Sequence, residues 1–152
     1  MSALLPKQLQ ALIDGDDQLV SVLANTCALL NESLDNINWV GFYLLDEEKS
    51  ELYLGPFQGK PACNRIAMNK GVCGNAAFQQ QTIRVEDVHQ YPGHIVCDNA
   101  SNSEIVVPII VGGKVFGVLD VDSPVLNRFS EDDQQVLEAC VRILEFYLEA
   151  LI

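Results

Sequence analysis

The strongest structural signal is a pair of apolar stretches joined by two glycines: Ile105-Val-Val-Pro-Ile-Ile-Val111, Gly112-Gly113 and Lys114-Val-Phe-Gly-Val-Leu-Asp-Val-Asp122. Runs rich in β-branched residues on either side of a short glycine turn are typical of a β-hairpin. We therefore predict two adjacent antiparallel strands over these residues. Acidic side chains lie at the end of this hairpin that is remote from the turn.

Helices are predicted at both ends of the chain. The apolar residues of the first third recur every three or four positions, which predicts a short helix ending near Asp14-Gly15 and a second from about Asp16 to Leu34. A final helix is predicted from Ser130 to about Leu151, because Ser130 and Asp133 match a helix-capping pattern.

Shorter elements lie between these helices. We predict strands over Asn38–Leu45, Glu51–Leu54, Ala62–Ile66 and Thr82–Val85, and a short helix over Gly71–Gln80. Residues 86–103 are polar and irregular, and loops of this length are often functional. The order of the elements indicates an α+β fold, with the terminal helices packed on one face of a mainly antiparallel sheet.

Length and charge exclude several classes of function. The chain has 152 residues, which suits a single domain, and a formal net charge of −12. Such an excess of acid disfavours binding to nucleic acids and to anionic membranes. The N-terminus does not resemble a signal peptide, and no apolar run is long enough to span a bilayer, so we expect a cytoplasmic protein.

The five cysteines divide by position. Cys27 and Cys140 lie on the apolar faces of predicted helices, where cysteine acts as a small core residue. Cys63, Cys73 and Cys97 lie in irregular or terminal positions, which leaves buried thiols and redox chemistry both open. Cys73 is expected at a helix N-terminus, which lowers a thiol pKa. Closely spaced ligand pairs are lacking, so we do not expect a zinc site.

Three carboxylates near the hairpin are candidate ligand-binding groups. Asp120 and Asp122 share one face of their strand, because side chains alternate along a strand. A simple two-residue turn would direct Glu104 to the other face, whereas a three-residue turn or a bulge near Pro108 would bring it beside them. Such a cluster could bind an ammonium group or hold a proton. Exposure of these acids to water remains the other interpretation.

Two aromatic residues flank a glycine in the first predicted strand. Trp39 and Tyr43 lie on either side of Gly41, and both suit the protein core. One of their rings could also form an apolar wall for a methyl or thioether group, because sulfur and aromatic rings attract each other. His94 is more typical of a loop residue than of a general base, and we expect His89 to be solvated.

Several of these segments together resemble one enzyme family. They are Gly59-Lys-Pro-Ala-Cys63-Asn-Arg-Ile66, Gly71-Val-Cys73-Gly74, Tyr91-Pro-Gly-His-Ile-Val-Cys97-Asp98 and Ser103-Glu104-Ile-Val-Val-Pro108. The pattern resembles free methionine-(R)-sulfoxide reductases, a catalytic GAF-domain family, over essentially the whole chain. The resemblance implies a six-stranded antiparallel GAF sheet, one GAF domain over residues 1–152, and reduction of the free amino acid.

The resemblance also implies a role for each candidate residue. Cys97 corresponds to the nucleophile, Cys63 to the resolving thiol, and Cys73 to a third cysteine able to join the exchange. Glu104, Asp120 and Asp122 would hold the substrate. Trp39 and Tyr43 would line the pocket for its methyl group.

The implied chemistry passes through a cysteine sulfenic acid and an intramolecular disulfide. A thioredoxin-type dithiol would restore the thiols, and no metal or organic cofactor would be required. Family members are often homodimers, with the first helix as the expected interface. The alternative function is a non-catalytic GAF module that binds a small ligand or senses redox state.

Overall fold

The computed structural model describes residues 1–95 and 100–152. The helices of this part of the chain are α1 (Leu5–Ile13), α2 (Leu19–Ser33), α3 (Gly71–Gln79) and α4 (Glu131–Leu151). The strands are β1 (Trp39–Asp46), β2 (Glu51–Gly59), β3 (Arg65–Ala67), β4 (Ile83–Val85), β5 (Ser103–Val111) and β6 (Lys114–Ser123). A 3₁₀ turn covers Val88–Gln90. The predicted α+β class is confirmed.

The strands form one sheet in the order β3-β2-β1-β6-β5-β4, and every neighbouring pair is antiparallel. The predicted hairpin of β5 and β6 is confirmed, with Val111 opposite Lys114. Gly112 and Gly113 have φ angles of 60° and 79°. Two consecutive positive φ angles are what a tight hairpin turn of this kind requires, and glycine adopts them without strain.

The two faces of the sheet are covered differently. Helices α1, α2 and α4 pack on one face, as predicted, and form an apolar core with the strand residues that point towards them. Cys27 and Cys140 are buried in this core as free thiols, which confirms their predicted position. Burial raises the pKa of each to about 12. Helix α3 packs on the opposite face with the second core.

Two predicted strands differ from their observed bounds by three residues or more. Strand β2 does not end at Leu54 but continues to Gly59. The pairing with β1 changes register between Gly41 and Tyr43, and Pro56 lies in the resulting bulge, where its missing N–H removes no regular ladder bond. The strand predicted from Ala62 begins only at Arg65 and is three residues long.

The N-terminus of α4 has the predicted cap. The Ser130 hydroxyl accepts a hydrogen bond from the Asp133 N–H at 3.1 Å, and the Asp133 carboxylate accepts one from the Ser130 N–H at 3.0 Å. This reciprocal capping satisfies N–H groups that the first helical turn leaves without partners. Within residues 1–95 and 100–152, no helix has the length and apolar character needed to cross a bilayer.

Candidate active site

The register of the β5–β6 hairpin decides where Glu104 points. The turn has two residues, but the register shifts between Ile109 and Ile110, so that Glu104 lies opposite Asp122. The extra residue belongs to β6, where Phe116 is left out of the pairing. Of the alternatives that the sequence allowed, the bulge near Pro108 is correct. The unbulged two-residue hairpin, which turns Glu104 away, is wrong.

This register places the candidate site residues in rows across the sheet. Glu104, Asp122 and Trp39 are neighbours on β5, β6 and β1. Asp120 lies one pleat further along β6, opposite Gly41 on β1. Since side chains two residues apart share a face, all three acids lie with Trp39 on the side that α3 covers.

Trp39 and Tyr43 form a stacked aromatic wall. Their ring centroids are 5.9 Å apart with planes at 24°, and both side chains are buried. A Cβ atom at Gly41 would lie 2.7 Å from the Trp39 ring and would also clash with Phe57. The missing side chain at Gly41 therefore lets the Trp39 ring lie close against the strand.

The polar ends of both rings bond to the segment that carries Cys63. The Trp39 indole N–H donates to the Lys60 carbonyl at 3.1 Å, and the Tyr43 hydroxyl donates to the Cys63 carbonyl at 2.9 Å. These bonds satisfy the polar groups of two buried aromatic residues. They also fix the position of the Cys63 backbone against the aromatic wall.

Helix α3 brings Cys73 to the carboxylates. The Cys73 sulfur lies 4.0 Å from Glu104 Oε2, and the side chain is a buried free thiol. Burial raises its pKa well above the ordinary value, and the charges of Asp120 and Glu104 raise it further. The prediction that the start of α3 lowers the pKa of Cys73 is wrong, because desolvation and facing acids outweigh the helix terminus.

Asp120 is the most enclosed of the three acids. Only 5% of its surface is exposed, and burial raises its pKa well above the usual range, with Asp122 and Glu104 raising it further. Asp120 Oδ1 is buried and has no hydrogen-bond partner among the described residues. This part of the site can hold a proton or accept a bond from a bound ligand.

The acids, the aromatic wall and Cys73 line one cavity. It has a volume of about 510 Å³, part of which is open to solvent. His94, Ser101 and Lys70 also line it, and sequence reasoning did not predict them as site residues. His94 Nε2 lies 3.8 Å from Glu104 Oε1. These residues belong to loops without periodicity, and the proximity of His94 to Cys97 in sequence was the one available signal.

The cysteines of the described residues differ in oxidation state. Cys63 is disulfide-bonded and half-buried beside the α3 core, whereas Cys27, Cys73 and Cys140 are free thiols. Cys97, the expected nucleophile, lies outside the described residues. The structure thus brings together every predicted substrate-binding residue and Cys73, with Cys63 adjacent through its carbonyl.

Comparison with known proteins agrees with this geometry. A sequence model of the GAF domain family matches residues 17–149. The chain is 52% identical to free methionine-R-sulfoxide reductase of Escherichia coli, over 93% of this chain and 84% of that protein. It belongs to the free methionine-(R)-sulfoxide reductase family of GAF domains. The enzyme of the same name from Saccharomyces cerevisiae is 43% identical, over 89% of this chain and 78% of that protein.

Solved structures of free methionine-R-sulfoxide reductases have the same fold. The Staphylococcus aureus fRMsr in complex with substrate matches with a TM-score of 0.90 and 52% identity, over 95% of this chain and 94% of that one. The Neisseria meningitidis enzyme, also in complex with its substrate, matches with a TM-score of 0.94 and 44% identity, over 97% of this chain and 87% of that one. The six-stranded GAF sheet implied by the sequence is confirmed.

Proposed function

We propose that this chain reduces free methionine-(R)-sulfoxide to methionine by thiol chemistry. The observation that carries the proposal is the buried face on which Glu104, Asp120 and Asp122 meet the stacked rings of Trp39 and Tyr43. A small zwitterion with an ammonium group and a methyl-sulfur group complements both halves of this site. The relatives named as reductases support the same substrate, as do two similar enzymes whose structures were solved in complex with substrate.

The charged end and the sulfur end of the substrate match different parts of the pocket. The ammonium group would lie among the carboxylates, where the free Oδ1 of Asp120 can accept a hydrogen bond. The methyl-sulfur group would contact the Trp39 and Tyr43 rings, since sulfur packs favourably against aromatic side chains.

In the proposed first step, Cys97 acts as the nucleophile. Its thiolate attacks the sulfoxide sulfur, oxygen passes to the cysteine as a sulfenic acid, and methionine leaves. The cysteine sulfur is oxidised by two electrons and the substrate sulfur is reduced by two. The acid cluster supplies the proton that the oxygen needs, because burial and the neighbouring charges of Asp122 and Glu104 favour one proton shared within the cluster.

Cys63 is the proposed resolving thiol. Its thiol condenses with the sulfenic acid of Cys97, which forms a disulfide and releases water, and a thioredoxin-type dithiol then reduces the disulfide. The disulfide-bonded state of Cys63 supports this assignment, as does the free, buried thiol of Cys73. We further propose that residues 1–152 act as one GAF domain.

An epimer-resolved assay tests the proposal. The protein is incubated with dithiothreitol and either the R or the S epimer of free methionine sulfoxide, and methionine is quantified by chromatography. We expect product from the R epimer, loss of turnover in Cys97→Ser, and retained turnover in Cys140→Ser, whose thiol lies in the other core. Full activity of Cys97→Ser would refute the mechanism, and ligand binding without methionine would indicate a non-catalytic module.

A further inference from the structure

A thiol and two carboxylates from three different elements meet inside the pocket. Cys73 comes from α3, Glu104 from β5 and Asp120 from β6. One potential ligand atom of each lies within 4.8 Å of the others, and all three side chains are buried. We propose that these residues form a binding site for a zinc ion, which competes with the substrate of the same pocket.

The distances are close to those that zinc requires. Bond lengths of about 2.3 Å to sulfur and 2.1 Å to oxygen place the two ligands of a tetrahedral site about 3.6 Å apart. Cys73 Sγ and Glu104 Oε2 are 4.0 Å apart, so small side-chain rotations close the site. Three protein ligands leave the fourth position of a tetrahedral zinc ion to solvent, as in open zinc sites.

A buried atom without a partner independently indicates a ligand. Asp120 Oδ1 has no hydrogen-bond partner among the described residues, although the residue is only 5% exposed. An orphaned polar atom at this depth costs free energy that a bound cation would recover. Zinc would displace the Cys73 proton on binding, and the resulting thiolate with two carboxylates suits a divalent cation better than the single charge of an ammonium group.

The thiol determines which cation is expected. Magnesium and calcium prefer sites built from oxygen, whereas a thiolate among the ligands favours zinc. Sequence spacing argued against zinc because the chain lacks closely spaced ligand pairs, but this trio is assembled from residues that are 31 and 16 positions apart. Only the folded sheet and α3 bring them together.

The oxidation states allow the site to exist in the disulfide form. Cys73 is a free thiol while Cys63 is disulfide-bonded. Zinc binding therefore does not require reduction of the disulfide, and it can be measured without a thiol reductant that would itself bind zinc. Binding does not depend on the proposed function, whereas competition with methionine sulfoxide rests on it.

Direct metal titration tests the site. The disulfide-form protein, treated with a chelator and then freed of it, is titrated with Zn²⁺ by calorimetry and with Co²⁺ by absorption spectroscopy. We expect one ion per chain and a thiolate-to-cobalt charge-transfer band in the near ultraviolet. Cys73→Ser should abolish the band and weaken zinc binding at least about tenfold. Cys140→Ser, which changes a buried thiol in the other core, should alter neither.

Further measurements distinguish failure of the zinc site from failure of the proposed function. Asp120→Asn should also weaken zinc binding, and circular dichroism establishes that both variants are folded. Absence of the cobalt band, or unchanged zinc affinity in both folded variants, would overturn the site. In the wild-type disulfide form, which cannot turn over, excess methionine sulfoxide should weaken the apparent affinity for zinc in the calorimetric titration. If the protein shows the cobalt charge-transfer band but makes no methionine, the proposed function is refuted and the metal site is supported.

Discussion

The missing side chain at Gly41 shapes the aromatic wall. Trp39 and Tyr43 stack across this position, and the space that a Cβ would fill is already occupied by the Trp39 ring and Phe57. Asp120 lies opposite Gly41 on β6, so the wall and the acids are adjacent. One glycine thus determines how closely the apolar and charged halves of the pocket approach each other.

Substitution of Gly41 by alanine should disturb the wall. The new methyl group would lie 2.7 Å from the Trp39 ring, and overpacking of this kind costs about 1–3 kcal/mol. Urea denaturation should show that loss in the free energy of unfolding. Trp39 is the single tryptophan, so its emission spectrum should shift as the ring moves. Unchanged stability and an unchanged spectrum would contradict this account of Gly41.

Asp120 should make stability depend on pH. Its pKa is raised in the folded protein, so the folded state binds more protons than the unfolded state above about pH 4. The free energy of unfolding should therefore fall as pH rises through the folded pKa. With EDTA present, Asp120→Asn should be more stable than the wild type at pH 7, because the uncharged amide avoids burying a carboxylate charge. The difference should disappear near pH 3.

Asp46 provides a matched control, because its pKa is lowered whereas that of Asp120 is raised. Its hydrogen bond with Arg65 lowers the pKa of this partly exposed carboxyl, so its contribution to stability is present above about pH 4 and is lost as pH falls through the folded pKa. Asp46→Asn should not stabilise the protein at pH 7. Thermal melts of both variants between pH 3 and pH 8 measure the comparison, and equal behaviour of the two would contradict the assignment of a raised pKa to Asp120.

Alkylation should distinguish the cysteines. Burial raises the pKa of Cys27 and Cys140 to about 12, and Cys73 is also buried with a raised pKa. At pH 8 these thiols should resist iodoacetamide in the native protein, because the thiolate is the reactive form. In denaturant without reductant, mass spectrometry should find these three modified and Cys63 unmodified. Rapid labelling of Cys140 in the native protein would contradict the burial of this thiol.

At the scale of elements, the bulge at Phe116 makes the site possible. A regular hairpin with the same two-residue turn would direct Glu104 away from Asp122. The extra residue on β6 changes the register by one position, and the acids then share a face. A second bulge at Pro56 lets β2 continue towards Lys60, whose carbonyl accepts the indole hydrogen bond of Trp39.

Capping of α4 should contribute measurably to stability. Ser130 and Asp133 bond reciprocally at the start of the longest helix among the described residues, and α4 forms much of the core beneath the sheet. Ser130→Ala should lower the free energy of unfolding by about 1 kcal/mol in urea denaturation. Ser21→Ala, at an exposed position within α2, should have little effect. Equal effects of the two substitutions would contradict a capping role.

At the scale of the whole molecule, the sheet places the main apolar core on one face and the pocket on the other. Three helices cover one face with apolar side chains, whereas the other face carries α3, the acids and the aromatic wall. This division lets the core stabilise a pocket that contains several mutually repelling groups. The homodimer implied by the sequence resemblance stays a prediction, and sedimentation velocity of the whole chain measures it.

Much of the architecture was determined by sequence alone, because hairpin turns, helix caps and apolar periodicity are local signals. They located β5, β6 and α4, and they placed Cys27 and Cys140 in the core. Only the tertiary structure decided that Glu104 faces Asp122, since the bulge depends on how two strands pack. Long-range contact likewise decided that the pKa of Cys73 is raised, because the acids that face it come from other strands.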